Sequence, residues 1–361
     1  MLAIAKKIME NVDWRHLTTG SSGLTGQARS QLNRMLGVIL GIQPSRQAVF
    51  AMIILGRVTL PLRALLANLC GIDHKGARAP LTPLAWAKNF QVVECVVRLF
   101  GILNITEDSF SDGGLYLAPH RALEHARSLI AAGADVVDVG PASSHPDSTP
   151  VSSATQIDRL RPILASELDK RILSVDCTSA DVQRFAIEHG VGYLNDIRGF
   201  CEPEIYPLLA DSSVRLVVMH SISNSEVAKR MDVSPAHILD RVLRFFDERL
   251  ETLLSSGISS TRVILDPGMG FFLGTDPETS IEVLRHVREI KDRYSLPILI
   301  SVSRKSFLQT LAGATTGTTE AATLAAEIFC FDQGVDFIRT HDPKRLQQAI
   351  AVWKALRGWN Q

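Results

Sequence analysis

The chain has 361 residues, 46% hydrophobic and 21% charged, the proportions of a globular protein in water. Its 38 basic and 38 acidic residues cancel, so the bulk charge gives a nucleic-acid partner no support. The five cysteines (Cys70, Cys95, Cys177, Cys201, Cys330) are odd in number, far apart and without a CxxC pair, which argues against a disulfide framework and a zinc site and for a cytoplasmic location.

The balanced total conceals two differently composed segments. Residues 1–97 carry 11 Lys or Arg against 4 Asp or Glu, and residues 98–361 carry 27 against 34. In the first segment the apolar runs Met35–Ile42 and Ala48–Gly56 are interrupted by Arg46, Arg57 and Arg63. None reaches the roughly 20 residues needed to span a bilayer. No secretion signal with a small-residue cleavage site is evident either. Organelle targeting and a membrane-surface helix are the alternatives. The reading favoured here is a loosely structured basic extension of 1–97 with no chemistry of its own and no membrane partner. A native start downstream of Met1 is a further expectation, because the first predicted strand needs nothing that precedes it.

From Arg98 onward one pattern repeats: short apolar strand, polar turn, amphipathic helix, glycine. The predicted strands are Arg98–Leu103, Asp135–Val139, Ile172–Val175, Gly192–Leu194, Arg215–Met219, Arg262–Leu265, Ile298–Ser301 and Asp336–Ile338. Gly133, Gly190, Gly257 and Gly334 sit where left-handed helix C-caps are expected. Helical periodicity appears in Leu123, Ala126, Leu129 and Ile130. It recurs over 236–255 in Ile238, Val242, Phe245, Phe246, Leu250 and Leu253. Strands that are apolar throughout are buried on both faces, as in a parallel sheet covered by helices. Eight such units predict a (β/α)8 TIM barrel over 98–361. The rival, a doubly wound open sheet, lacks its glycine-rich dinucleotide fingerprint after the first strand.

In a TIM barrel the chemistry lies at the C-terminal ends of the strands. In chain order those ends carry Asn104; Asp138, Gly140 and Ser143–His145; Asp176; Asn195–Asp196; His220; Asp266; Ser303–Ser306; and Arg339–His341. Asp196, His220 and Ser303 read best as caps or satisfied core groups. Arg339 and His341, two apart, point the same way and make a cation pair suited to phosphate oxygens. A structural ion pair is the alternative for Arg339. Asp176 and Asp266, partly desolvated, need N–H donors, which a ring with a guanidine-like edge such as a pterin supplies. The polar loop Asn104–Gly114 has the composition of a closing lid.

These residues fall within FGILNITEDSFSDGG (100–114), DVGPASSHP (138–146), SVDC (174–177), LNDI (194–197), VVMH (217–220), DPGMGF (266–271), SVSRKSF (301–307) and IRTH (338–341). Together, in this order and each at a strand end, they resemble dihydropteroate synthase over essentially all of 98–361. The resemblance implies a transferase of folate biosynthesis. Such an enzyme joins 6-hydroxymethyl-7,8-dihydropterin pyrophosphate to p-aminobenzoate, with Mg²⁺ as cofactor and as a homodimer. It implies that Asn104 binds Mg²⁺ and pyrophosphate and that Arg339 and His341 hold the pyrophosphate. Asp176, Asn195 and Asp266 would grip the pterin beside Lys305. Ser306 would receive the p-aminobenzoate carboxylate, and Phe110 and Pro146 would wall its ring. Ser144, His145 and Met219 complete the implied substrate contacts.

The chain departs from the usual family pattern. The common Gly-Glu-Ser-Thr-Arg-Pro is here Pro141–Pro146, with His145 as a weaker, pH-dependent cation in place of arginine. Leu273 replaces a common lysine, Glu107 a proline and Cys177 a threonine. TEDSF, PASSHPD and DPGMGFFLG resemble the Sul-type synthases that tolerate sulfonamide drugs, which implies the same tolerance. Two rivals are a pterin-binding methyltransferase, which has no use for Arg339, His341 or the SRKS turn, and an inactive binding scaffold. A pterin pyrophosphokinase fused in 1–97 is disfavoured by the scarcity of acidic metal ligands there.

Overall fold

The computed structural model describes residues 97–106, 118–313 and 319–358. In this region eight parallel strands alternate with helices. The strands are β1 (Arg98–Asn104), β2 (Val136–Gly140), β3 (Leu173–Asp176), β4 (Tyr193–Asp196), β5 (Arg215–Met219), β6 (Val263–Asp266), β7 (Leu299–Ile300) and β8 (Phe337–Thr340). The helices between and after them are α1 (Pro119–Ala131), α2 (Ser153–Leu164), α3 (Ala180–Glu188), α4 (Tyr206–Asp211) and α5 (Ile238–Ser255). They continue with α6 (Pro277–Arg285), α7 (Val287–Tyr294), α8 (Ser306–Ala312), α9 (Glu320–Asp332) and α10 (Pro343–Leu356).

The strand order is β6-β5-β4-β3-β2-β1-β8-β7. One parallel bridge, Leu265 to Ile298, joins β6 to the foot of β7, supported by Leu265 N donating to Pro297 O at 2.9 Å. The sheet therefore closes into the expected barrel, and the open-sheet rival is excluded. The anticipated strands are all present, but most ladders run one or two residues further than hydropathy indicated. Asn104, Gly140, Asp176, Asn195–Asp196, Asp266 and Arg339–Thr340 are strand residues rather than residues after strands. β7 departs the other way, reduced to two residues.

Helix ends follow local chemistry. Ser152, Asp276 and Asp342 cap α2, α6 and α10 by accepting backbone N–H groups. The four predicted cap glycines have φ between +76° and +93°. Ile238, Val242, Phe246 and Leu253 of α5 are buried, with Phe245 and Leu250 packed at the margin. Among the described residues no helix is long and apolar enough to cross a membrane.

Side chains alternate between the helix-facing core and the barrel interior. Leu99, Val137, Val175, Leu194, Leu216, Leu265 and Ile338 face the helices. Phe100, Val136, Tyr193, Val217, Ile264, Leu299 and Phe337 form a separate layer inside. Arg98 closes that layer from the N-terminal end, its guanidinium 4.4 Å from the Phe337 ring centroid and donating to the Tyr193 hydroxyl at 3.4 Å. Two residues further along the same strands, the inward positions become Ile102, Asp138, Asn195, Met219, Asp266, Ser301 and Arg339. The alternation that seals one end therefore delivers polar groups to the other.

Candidate active site

The centre of the mouth is an ion-pair cluster. Arg339 of β8 donates through Nε to Asp138 Oδ2 at 2.5 Å and through a terminal nitrogen to Asp176 Oδ2 at 3.1 Å. Asp138 is fully buried, and Asn195 Nδ2 also approaches its Oδ2, at 3.5 Å. Burial pushes the Asp176 carboxyl up to about 7, against the opposing pull of Arg339. Asp266 is likewise raised by burial, to about 6, although the Gly268 N–H bonded to its Oδ1 at 2.8 Å, Lys305 and Arg339 oppose the shift. Gly268 is dictated by this turn. Its φ is +76°, and a Cβ there would lie 2.4 Å from the His220 carbonyl oxygen.

Lys305 precedes α8 and lies 4.9 Å from the Phe272 ring centroid. Burial and the nearby Arg339 lower its ammonium to about 8, while Asp266 and Asp176 hold it up. His341 shares a 2.9 Å hydrogen bond between Nδ1 and Ser303 Oγ. Burial, then Arg304, Arg339 and Lys305, drive it well below the usual histidine range. The expected cation pair is thus one guanidinium beside a neutral imidazole.

Two compartments adjoin. The first, about 190 Å³, is lined by Asn104, Thr106, Asp176, Lys305, Arg339 and His341, among others. The second, about 300 Å³, is lined by His145, Pro146, Phe271, Phe272, Lys305 and Ser306, among others. Ser144, His145, Arg304 and Lys305 border both. Asp266 and Asn195, 2% and 3% exposed, are buried next to the first compartment without forming part of its lining. Met219 packs with Ile197, Ala228 and Phe272 in a small apolar cluster and pairs in register with Asp266. Phe110 lies outside the described residues.

His145 stands in the wall of the second compartment. Burial, Arg230 and Lys305 lower its pKa, with Asp147 opposing, in keeping with the weak, pH-dependent basicity expected of it. Arg230, unremarked in the sequence, lines the same wall. It grips Asp147 with two 2.6 Å bonds and lies 5.3 Å from the Phe271 ring centroid. Arg304, expected at the end of the seventh strand but given no role of its own, borders both compartments and has φ +59°. Asp196 and His220 are the satisfied groups expected. Asp196 accepts from Arg198 N, Phe200 N and Gln183 Nε2, and His220 Nδ1 meets Pro267 O at 3.1 Å. Ser303 is satisfied too, but by His341, so it belongs to the site.

Buried Oδ1 atoms of Asp138 and Asn195 find no hydrogen-bond partner among the described residues. Unsatisfied buried acceptors are rare in native proteins and call for a donor. The mouth therefore offers acceptors at its depth, a guanidinium across them, and a second chamber reached past Lys305. That combination is suited to a small molecule with hydrogen-bond donors and negative charge, and residues 100–341 match the family described as pterin binding enzyme.

The chain is a member of that family and, within it, belongs to the dihydropteroate synthases, which are transferases. It is 52% identical over 260 residues to the type-2 dihydropteroate synthase of Escherichia coli, covering 72% of this chain and 96% of that one. Identity to the type-3 enzyme of Escherichia coli is 47% over 260 residues, covering 72% and 99%. Among solved structures, a sulfonamide complex of the Yersinia pestis dihydropteroate synthase matches with a TM-score of 0.66 at 31% identity, covering 73% of this chain and 95% of that one.

Proposed function

We propose that residues 98–361 condense 6-hydroxymethyl-7,8-dihydropterin pyrophosphate with p-aminobenzoate, releasing pyrophosphate and a proton and giving 7,8-dihydropteroate. The observation that carries this reading is the Asp138–Arg339–Asp176 cluster at the floor of one compartment, with Lys305 bordering the next. Asp176, Asn195 and Asp266 accept hydrogen bonds from the pterin edge, Lys305 lies beside the ring, and Met219 packs beneath. Asn104, Arg339 and His341 receive the pyrophosphate. Ser306 at the start of α8 takes the p-aminobenzoate carboxylate, with Ser144, His145 and Pro146 along the ring; Phe110 is assigned there from the motif alone.

The chemistry needs charge stabilisation more than proton abstraction. As the C–O bond to pyrophosphate breaks, negative charge gathers on the leaving group, where Arg339 is held in place before the reaction begins. The neutral His341 can donate one N–H there, and the incoming anion offsets the positive neighbours that depress its basicity. The aniline nitrogen then attacks the methylene carbon and loses its proton. Asp266 is a pterin acceptor rather than a general base.

The oxygen donors fit Mg²⁺ bound mainly through the substrate. Asn104 and Thr106 line the first compartment, Thr106 Oγ1 is buried without a partner, and no cluster of three His, Cys, Asp or Glu suited to a metal occurs among the described residues. Mg²⁺ characteristically takes few protein ligands alongside substrate phosphates. When bound, it supplies further neutralisation of pyrophosphate charge.

We also infer that the second compartment, where His145 stands in place of the family's arginine, discriminates against sulfonamides, which mimic p-aminobenzoate; Cys177 and Leu273 are buried outside its lining. The test is steady-state turnover with and without sulfamethoxazole, with Arg339→Ala as control. Expected are p-aminobenzoate-dependent pyrophosphate release, activity persisting at drug levels that stop an ordinary synthase, and loss of pyrophosphate-dependent binding in Arg339→Ala. Absence of pyrophosphate release rejects the synthase reading, and ordinary drug sensitivity rejects the discrimination alone.

A further inference from the structure

Asp138 is assigned no substrate contact above: its Oδ1 is an open acceptor, while its Oδ2 is held by Arg339 and the side chain is fully buried. It lies in the middle of β2, paired in register with Ile102 of β1 and Ser174 of β3. Asp176, by contrast, ends β3 with 19% of its side chain exposed. Arg339 thus has one fixed, dry partner through Nε and one shallow partner through a terminal nitrogen. A guanidinium has five N–H donors in a rigid plane, so fixing the single Nε–H orients the others. A ring that takes Asp176 as acceptor competes with the terminal nitrogen of Arg339 for that carboxylate and leaves the Nε bond to Asp138 untouched.

We propose that Asp138 is a positioning residue: it anchors Arg339 through Nε and holds the outer edge of the guanidinium toward the substrate's pyrophosphate. The assignment rests on the synthase reading. It carries a sign that simple electrostatics reverses. A buried carboxylate that merely sits beside an anion site repels the anion, so removing its charge tightens anion binding. An anchor does the opposite.

The experiment uses the full chain as wild type, Asp138→Asn, Arg339→Ala and the double variant. Calorimetric titration with inorganic pyrophosphate and Mg²⁺ is run beside steady-state kinetics. Asp138→Asn should weaken pyrophosphate binding about tenfold and raise KM for the pterin substrate by a similar factor, the size typical of lost support for a binding residue. KM for p-aminobenzoate should stay within about twofold, and the substitution should add nothing to Arg339→Ala, since its effect passes through that side chain. Unchanged or tighter pyrophosphate binding in Asp138→Asn overturns the proposal, as does an additive double variant.

A second measurement needs only the native sequence. The Arg339 Nε–H resonance, assigned by its loss in Arg339→Ala, should be protected from exchange both in the empty protein and with magnesium pyrophosphate bound. Loss of that protection on binding overturns the anchor. Wild-type protein that makes no dihydropteroate rejects the synthase reading instead. Active wild type with an indifferent Asp138→Asn rejects only the role of Asp138.

Discussion

The two ends of the barrel are built from the same strands and hold opposite kinds of arginine. At the N-terminal end the guanidiniums of Arg98 and Arg215 lie over Phe337 and Tyr193, and both donate to the Tyr193 hydroxyl. No carboxylate takes part in these contacts. At the C-terminal end Arg339 is wedged between two carboxylates, with a third, Asp266, and Lys305 close enough to shift one another's proton affinity. The first arrangement closes a core. The second holds charge away from water at a cost that bound ligand offsets. Burial alone does not separate a structural cation from a functional one; the nature of its partners does.

The largest expected effect sharpens this contrast. Lys305→Met should lower kcat/KM by about 10²-fold, the scale of losing one charge-stabilising group, while the folded protein persists. Full activity in that variant would break the claim that charge at the mouth serves chemistry.

The second test is pH. Burial raises Asp176 to about 7 and Asp266 to about 6, whereas both are near 3.8 in an unfolded chain. Between those values the folded protein keeps protons that the unfolded chain has released. Their contribution to stability is therefore full below about pH 4 and is lost as pH climbs through 6 to 7. The depressed His220 and His341 contribute the opposite slope, in the wild type and in Asp176→Asn alike. Denaturant titrations across this window should therefore show stability falling less, or rising more, with pH in Asp176→Asn than in the wild type. Identical slopes for the two proteins would contradict it.

Arg98→Met probes the other end. It should cost about 1 kcal/mol of stability, the worth of a cation–π contact, and leave kcat/KM within about twofold. The smallest effect is expected for His145→Gln. Because His145 is neutral at pH 7, KM for p-aminobenzoate should change by less than about threefold there. A tenfold rise would restore the imidazolium as a substrate ligand.

The sequence made the barrel legible because two-sided burial of a strand leaves a simple mark, an apolar run followed by polar residues. It misplaced the strand ends for a related reason. Hydropathy changes at Asp176 and Asp266, but the backbone ladder continues through them, since their side chains point into a barrel rather than out to solvent. The site was legible as a set of strand tips and not as a set of partners. Asp138 was visible in VVDVG, whereas its bond to Arg339 joins residues 201 positions apart. Histidine charge was the least accessible property. His145 and His341 are basic by type and neutral by surroundings, and those surroundings include Arg230, which no local pattern marks, and Arg304, which the SRKS turn marks without assigning it a partner.

The junction between β6 and β7 has a mechanical meaning. Every other neighbouring pair is stitched by two or more rungs, while this one has a single rung at Leu265 and Ile298. Asp266 tops one lip of that junction, and Lys305 follows the strand that forms the other. Fewer backbone hydrogen bonds oppose separation at that seam than at any of the other seven, and an acid and a base stand on its two sides.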